Sequence, residues 1–275
     1  IYDFSARRLG PKIANTLIDA LTLGIFAGDV HKLSIQSCFP FLYKWEQEKG
    51  SLVLGALFSK KKKGPKGLFT LQNGMGALIE ALALKSKAEI RFETTVEEIR
   101  PDGVVANAAF FPASLIVSAL DGSSMGRMTG LWSDFEEKSI GMVHFAYQGD
   151  LLPKKGFGYL VPTQEKENLL GMVWDSAVFP QQSVSGETRV TLMMREGSVE
   201  AALDAMKRHL GFAAEPIFTA VHEAAVPQFP VGYGKRLERF EEEAKKRFPS
   251  LALLGNYIRG ASVDACVSLA KSYFL

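Results

Sequence analysis

Residues 139–194 constrain the fold most, because four short apolar runs alternate there with polar or glycine-containing turns. The runs read MVHFAYQG, GFGYLVP, LLGMVWDSAVF and RVTLMM. Repeated runs of strand length between turn residues are typical of antiparallel pairing. The sequence therefore predicts an antiparallel sheet over this region, and the run IFTAVHEAAVP at 217–227 predicts one further strand.

Two amphipathic helices are predicted around that last strand. Ser198 has the residue type of a helix N-cap, and Gly211 has that of a C-terminal stop. A second helix follows, and Pro249 ends it. Its apolar positions recur at helical spacing at Leu237, Phe240, Ala244 and Phe248.

The first 58 residues read as a small helical unit. Pro11 opens a helical pattern and Gly24 closes it, which is the usual asymmetry of proline at the start and glycine past the end. Further apolar segments of helical character continue to about residue 58.

Residues 68–120 predict part of a layered α/β domain. The segment 68–84 reads as a short strand, a glycine turn and a helix. Alternating apolar residues at 90–94 indicate a strand, and a turn at 101–103 leads to another. The continuous apolar run SLIVSAL at 114–120 indicates a strand covered on both faces.

The C-terminal region contains a strand at 251–254 that runs into Gly255 and Gly260 and then into a helix. Such a turn presents free backbone N–H groups and the positive end of a helix dipole, which suits a carbonyl or phosphate oxygen. Close packing of the strand on the helix would explain the glycines equally well. The local pattern leaves both interpretations open.

Composition indicates an ordinary globular protein. Of the 275 residues, 47% are hydrophobic and 23% charged, and the formal net charge of +2 gives no reason to expect a nucleic-acid partner. No apolar stretch approaches the roughly 20 residues that span a bilayer. The lysines at 60–63 and 66 read as a solvated loop, or alternatively as a contact with an anionic membrane surface.

No complete catalytic motif is present in the sequence. The histidines are scattered without the spacing of a metal site, and no Ser/His/Asp set can be assembled. The segment DGSSMG at 121–126 reads as an ordinary loop. Neither GxGxxG nor GxxxxGK[ST] occurs, so no complete phosphate-binding loop is expected. The two cysteines, Cys38 and Cys266, lie among apolar neighbours and are expected to be buried and reduced.

Four segments, at 7–52, 156–180, 225–233 and 253–267, together resemble the protoporphyrinogen oxidase family. These are oxygen-dependent, FAD-containing enzymes of haem synthesis within the flavin amine oxidase superfamily. The patterns AGD…LS…FP and GN…G..V..C are the most specific. In this family an N-terminal dinucleotide-binding βαβ unit is completed by segments that return after the substrate domain. The resemblance covers only the part of such enzymes that lies after this unit, so we expect the C-terminal two thirds of one.

The resemblance implies a fold of the α/β plus α+β class. An incomplete Rossmann-like FAD-binding domain is expected together with an antiparallel-sheet substrate domain and a small helical subdomain. The implied boundaries place the helical subdomain at 1–67 and the substrate domain at 121–235. The returning parts of the FAD-binding domain are then 68–120 and 236–275.

The resemblance also assigns cofactor and substrate residues. Val96 corresponds to the strand whose backbone meets the adenine end of FAD. The segment that approaches the flavin ring contains Gly255, Asn256, Gly260 and Val263. The substrate wall contains Phe145, Leu160 and Phe179. No general base and no metal ligand is assigned.

The implied function is the FAD-dependent oxidation of protoporphyrinogen IX to protoporphyrin IX with dioxygen. Alternatives are another flavin oxidase of the same fold, acting on coproporphyrinogen, an amine or a polyene, and a non-catalytic scaffold. The implied location is peripheral, at the cytoplasmic side of a bacterial membrane or the mitochondrial inner membrane, and a homodimer is compatible with it. The fragment alone is expected to be inactive, colourless and poorly soluble, because removing a βαβ unit uncovers strand edges.

Overall fold

A computed structural model describes residues 1–58, 67–132, 134–152 and 156–274. The N-terminal part is helical, as its sequence predicts. Its elements are α1 (Tyr2–Leu9), α2 (Pro11–Ile13), a π-helical turn (Ala14–Ile18), α3 (Asp19–Phe26), α4 (Ile35–Cys38), α5 (Pro40–Lys49) and α6 (Leu52–Phe58). The lysines at 60–63 and 66 lie outside the described residues. No helix in the described part of the chain is both long and apolar enough to cross a bilayer.

The predicted helix end at Gly24 is wrong. Helix α3 continues to Phe26, and Ala27 adopts the left-handed conformation that ends it, with φ 52°. Gly24 serves packing instead. A Cβ at this position would lie 2.5 Å from a methyl carbon of Leu160, so a side chain here would have to displace the Leu160 side chain.

The next part contains a helix, four short strands and another helix. These are α7 (Gly76–Lys85), β1 (Val96–Arg100), β2 (Gly103–Ala106), β3 (Ala109–Pro112), β4 (Ile116–Ser118) and α8 (Gly122–Thr129). Strands β1, β2 and β3 form an antiparallel sheet in that order, which confirms the turn at 101–103.

Three local predictions in this part are wrong. Residues 68–71 and 90–94 are not strands, because no strand in the described part of the chain pairs with them. The segment 121–126 is not a loop, because Asp121 accepts a hydrogen bond from the Ser124 N–H at 2.7 Å and caps α8. Strand β4 is covered on one face only, since Val117 is 45% exposed while Ile116 and Ser118 are buried.

The predicted antiparallel sheet is confirmed and has five strands. The elements of this part are β5 (Glu137–Gln148), β6 (Gly158–Leu160), β7 (Leu169–Val173), α9 (Asp175–Val178), β8 (Glu187–Met194), α10 (Val199–Leu210) and β9 (Phe218–Pro227). The strand order is β6-β7-β8-β5-β9. Helix α10 is capped at Ser198 and ends at Gly211, as its sequence predicts.

The two faces of this sheet are covered differently. On the α10 face, side chains from the sheet pack against Ala202, Ala205 and Met206 of the helix. On the opposite face, which we call the α3 face, Ile140 and Leu170 pack against Leu23 and Ala27. Helix α10 thus closes a large core on its face, whereas on the α3 face the closed core contains only Ile140 and Leu170 of the buried sheet residues that the structure describes.

The last elements are α11 (Tyr233–Arg247), β10 (Leu251–Leu253) and α12 (Val263–Phe274). Strand β10 pairs in parallel with β4, so that Leu251 lies opposite Ile116 and Leu253 opposite Ser118. The buried face of α11 packs against this pair and against the loop after α3. Helix α11 thereby links the parallel strands to the N-terminal helices.

A buried carboxylate fixes α3 to the sheet. Asp19 is 4% exposed. It accepts hydrogen bonds from the Thr163 N–H at 2.6 Å and from the Thr163 hydroxyl at 3.0 Å. At the other end of the helix, the buried Gln228 amide donates to the Phe26 carbonyl at 2.7 Å. The helix is therefore held at both ends by side chains whose partners are distant in sequence.

We expect Asp19→Ala to lower the free energy of unfolding by about 2–3 kcal/mol, because two hydrogen bonds to a buried charged acceptor are lost. Urea titration of the purified protein measures the change. Asp29→Ala is the matched control, because Asp29 is exposed and accepts one local bond from the His31 N–H. Equal losses in the two variants would contradict a special role for Asp19.

Candidate functional site

The candidate site is a groove at the carboxyl ends of the parallel strands β4 and β10. Two cavities, of about 640 and 470 Å³, lie there and share Ala119 and Leu120 in their walls. In open α/β sheets, ligands bind in the crevice outside the carboxyl ends of the parallel strands. The two cavities together therefore form the candidate binding site for a cofactor.

The larger cavity has apolar walls and one cation. Val96 lies in its wall and is 38% exposed, and Val117 contributes the uncovered face of β4. Arg127 of α8 also lines it, and its guanidinium donates to the Ser124 hydroxyl at 3.0 Å. An arginine at the edge of an apolar cleft suits a ligand that carries a phosphate or another anion.

The start of α8 explains why sequence reasoning missed Ser124 and Arg127. Partial burial acts to raise the pKa of Asp121, but hydrogen bonds from Ser124 lower it overall. This carboxyl therefore stays charged at the helix N-terminus. The available signal was an aspartate directly after a strand, which is the residue type of an N-cap. Reading 121–126 as a helix start would have placed Arg127 on a helix beside the cavity.

The smaller cavity contains the predicted residues Gly255 and Asn256 in its wall, together with Cys266 of α12. Gly255 has φ 144°, and a Cβ there would lie 2.8 Å from the Leu120 carbonyl oxygen. Only glycine fits this position, because both the backbone angle and the space exclude a side chain. The glycine thus serves packing and, at the same time, forms part of the cavity wall.

The connection from β10 to α12 contains Gly260 and Val263. Gly260 has φ 111° and no close neighbour at its Cβ position. The Ser262 hydroxyl accepts a hydrogen bond from the Ala265 N–H at 3.1 Å and so caps α12. Among the described residues the Val263 N–H has no hydrogen-bond partner, as expected for the first residue of a helix.

The three predicted substrate residues occupy different surroundings. Phe145 is 2% exposed and lies in the core of the α10 face, so its ring is enclosed by protein. Leu160 is 37% exposed and packs against Gly24 and Gly171 on the α3 face. Phe179 is half-buried at the end of α9. The structure thus brings Leu160 to the open face of the sheet and leaves Phe145 out of it.

The described residues contain no group of His, Cys, Asp and Glu that could hold a metal ion. Both cysteines are free and half-buried, and burial raises the pKa of the Cys38 thiol to about 12. The groove offers apolar walls, a close backbone approach, an arginine and the N-terminus of α8, and Cys266, Val267 and Ala270 of α12 also line it. Such a site binds and orients a large ligand, and redox chemistry there would come from that ligand. The predicted residues Gly260 and Val263 are not among the residues that line the two cavities.

Comparison with known proteins agrees with this architecture. The family described as flavin containing amine oxidoreductase matches residues 2–271. The protoporphyrinogen oxidase of Bos taurus is 28% identical over 98% of the chain, which spans 67% of that protein. The coproporphyrinogen III oxidase of Bacillus subtilis is 24% identical over 98% of the chain and 65% of its own length. A solved structure from Exiguobacterium sp. 255-15, at 22% identity, superimposes with a TM-score of 0.81 over 98% of the chain and 65% of that structure.

We expect Gly255→Ala to lower the free energy of unfolding by at least about 1–2 kcal/mol, because the new methyl group meets the Leu120 carbonyl at an unfavourable backbone angle. Thermal or urea unfolding measures the loss. Gly234→Ala is the control, since a Cβ there meets nothing within 4 Å and φ is not positive. Equal stability of the two variants would show that the turn at Gly255 tolerates a side chain.

Proposed function

The chain belongs to the flavin-containing amine oxidoreductase family, and from that premise we propose that the intact protein oxidises protoporphyrinogen IX to protoporphyrin IX with dioxygen as acceptor, in haem biosynthesis. The observation that carries the proposal is the groove that joins Val96 to Gly255 at the carboxyl ends of β4 and β10. The chain spans about two thirds of the relatives it matches, so the proposal concerns the whole protein. The proposal includes the division of the chain into a helical subdomain (1–67), a substrate domain (121–235) and two parts of the FAD-binding domain (68–120 and 236–275).

The residues of the groove fit FAD. Its apolar walls suit flat rings, Arg127 suits a phosphate, and the Gly255 backbone allows close approach. We assign Val96 to the adenine end, and Gly255, Asn256, Gly260 and Val263 to the flavin end. Bound FAD would accept hydride equivalents from the porphyrinogen and pass them to dioxygen.

The contribution of the protein is orientation and electrostatics. The N-terminus of α12 provides the positive end of a helix dipole, and the Val263 N–H is a free donor at that end. A donor aimed at an oxygen or nitrogen that gains negative charge stabilises the reduced form of the ligand. On the substrate side, Leu160 provides apolar surface on the α3 face, and we assign the half-buried Phe179 at the end of α9 to the same wall.

The relative from Bacillus subtilis supports a second candidate, the oxidation of coproporphyrinogen III. Both substrates are porphyrinogens, and fold likeness alone does not choose between them. An amine or polyene oxidase and a scaffold without catalytic activity remain further alternatives, which direct assay separates.

We expect the purified full-length protein to be yellow from bound FAD and to oxidise protoporphyrinogen faster than coproporphyrinogen. The growth of porphyrin fluorescence and the uptake of oxygen measure both reactions, with autoxidation in the absence of protein as the control. A faster reaction with coproporphyrinogen would favour the second candidate. A colourless protein without either activity would support a scaffold.

We expect Val263→Pro to retain FAD but to lower kcat about tenfold, because proline removes the N–H that we assign to the flavin end. Proline is favoured at the first position of a helix, so α12 should remain intact. Val263→Ala is the matched control, since it removes the 57% exposed side chain and retains the N–H. A proline variant with the kcat of the wild type would rule out this role for the N–H.

We also propose peripheral membrane contact through the helical subdomain. Apolar side chains are exposed on α5 and α6, and Leu57 and Phe58 are 73% and 74% exposed. Exposed apolar residues on adjacent helices can lie in the interface of a bilayer without crossing it.

We expect the double variant Leu57→Asp with Phe58→Asp to bind vesicles at least tenfold more weakly than the wild type. Co-sedimentation with vesicles of phosphatidylglycerol and phosphatidylcholine measures the binding. Val184→Asp is the control, because Val184 is 65% exposed on the loop before β8. Equal binding by the wild type and the double variant would place the contact elsewhere.

A further inference from the structure

A hydrogen-bonded chain of three polar side chains crosses the open end of the α3 face. The Thr191 hydroxyl of β8 donates to the Asp175 carboxylate at 2.7 Å. The hydroxyl oxygen lies 2.9 Å from Nδ1 of His144 on β5. His144 and Thr191 are directly opposite each other in the β5–β8 pair, so the sheet itself fixes their distance.

The chain of bonds sets the tautomer of His144. An ionised Asp175 only accepts hydrogen bonds, so the single hydroxyl proton of Thr191 points to it. The hydroxyl oxygen then accepts a hydrogen bond from Nδ1–H of His144, which places the proton of the neutral ring on Nδ1. In the neutral ring Nε2 is therefore an acceptor, and the described residues provide it with no hydrogen-bond partner.

The surroundings favour the neutral imidazole. Burial lowers the pKa of His144, and the nearby His222 of β9 and Arg189 of β8 act in the same direction. Asp175 of α9 opposes them. Burial also raises the pKa of Asp175, and its hydrogen bond from Thr191 counteracts this shift.

The position of these hydrogen-bonded side chains on the sheet explains why His144 remains accessible to a ligand. Helix α3 covers the end of this face around Ile140, and the next residues of β5 on the same face, Met142 and His144, are half-buried. Leu160 lies on the same face. A ligand that packs on this face would meet Nε2 of His144, an acceptor whose tautomer is set by the bond to Thr191.

We propose that His144 binds the substrate directly, with Nε2 accepting a hydrogen bond from a pyrrole N–H of the porphyrinogen, while Thr191 and Asp175 position its ring. This inference rests on the proposed function, because that function supplies the N–H donors. A porphyrinogen carries N–H groups at the centre of the macrocycle and carboxylates at its edge. A neutral acceptor suits the N–H groups, whereas a carboxylate would require a protonated ring.

The test uses the full-length, flavin-loaded protein. We expect His144→Leu to raise KM for the porphyrinogen about tenfold with a smaller change in kcat. His144→Gln retains an acceptor and should recover most of the affinity. His222→Leu, which removes an exposed histidine 5.4 Å from the His144 ring, is the matched control and should leave KM within about twofold. An unchanged KM in His144→Leu would overturn the inference.

The positioning residues are tested by a conservative pair. Thr191→Val removes the hydroxyl at nearly constant shape, and we expect KM to rise about threefold or more. Thr191→Ser retains the hydroxyl, so its KM should equal that of the wild type. Nitrogen NMR of histidine-labelled protein should show the Nδ1–H tautomer for His144 in the wild type and its loss in Thr191→Val. The same tautomer in both proteins would overturn the positioning role.

The pH dependence separates the two possible ligand groups. If Nε2 accepts an N–H, KM rises as pH falls through the pKa of His144, because protonation removes the acceptor. If the ring instead binds a propionate, KM falls over the same range, and that outcome would overturn the proposal. The imidazole of His144 is near Asp175, Arg189 and His222. The pH profile of KM is therefore measured again in His222→Leu, so that a contribution from the second histidine is excluded.

Failure of the proposed function is distinguished by a binding measurement without turnover. Porphyrinogen binding under nitrogen is followed by quenching of tryptophan fluorescence in the wild type and in His144→Leu. A protein that binds but does not oxidise the ligand would overturn the proposed function alone. A dissociation constant that is equal in the two proteins would overturn the inference, whether or not oxidation occurs.

Discussion

The arrangement of the molecule depends on how α3 is held against the five-stranded sheet. Helices and sheets pack through apolar surface, which sets their distance but leaves sliding and rotation weakly constrained. Here the buried Asp19 bonds to Thr163 at one end of the helix, and the buried Gln228 bonds to the Phe26 carbonyl at the other. Breaking either bond leaves a buried polar group without a partner, which is costly. The two contacts therefore fix the helix in one register, and Gly24 then accommodates Leu160.

The same register divides the α3 face into a covered and an open end. Under the helix, Ile140 and Leu170 form a closed core with Leu23 and Ala27. Beyond it, Asp175, Thr191 and His144 form an ordered polar chain beside apolar surface. On the α10 face, by contrast, Phe145 is enclosed on every side. Adjacent residues of a strand point to opposite faces of the sheet. His144 and Phe145 are neighbours on β5, yet only His144 lies on the face where a ligand could contact it.

The groove depends on a second long-range constraint, the pairing of β4 with β10. Each strand is three residues long, and neither is stable alone. The apolar face of α11 packs against both and holds them together. The carboxyl ends of the two strands consequently meet, helix α8 begins beside the shared groove, and Cys266, Val267 and Ala270 of α12 line it. Membership of the flavin-containing amine oxidoreductase family agrees with this construction.

The sequence by itself determined the elements whose signals are local. Alternating apolar runs specified the antiparallel sheet, Ser198 and Gly211 bounded α10, and the turn at 101–103 joined β1 to β2, because caps, turns and periodicity act over a few residues. Only the tertiary structure decided what depends on distant partners. Residues 90–94 have the pattern of a strand but no neighbour to pair with in the described part of the chain, and Gly24 faces Leu160 rather than ending a helix. Likewise, His144 and Asp175 became parts of one hydrogen-bonded chain only when β5 and β8 were paired, because strand register is a property of two segments together.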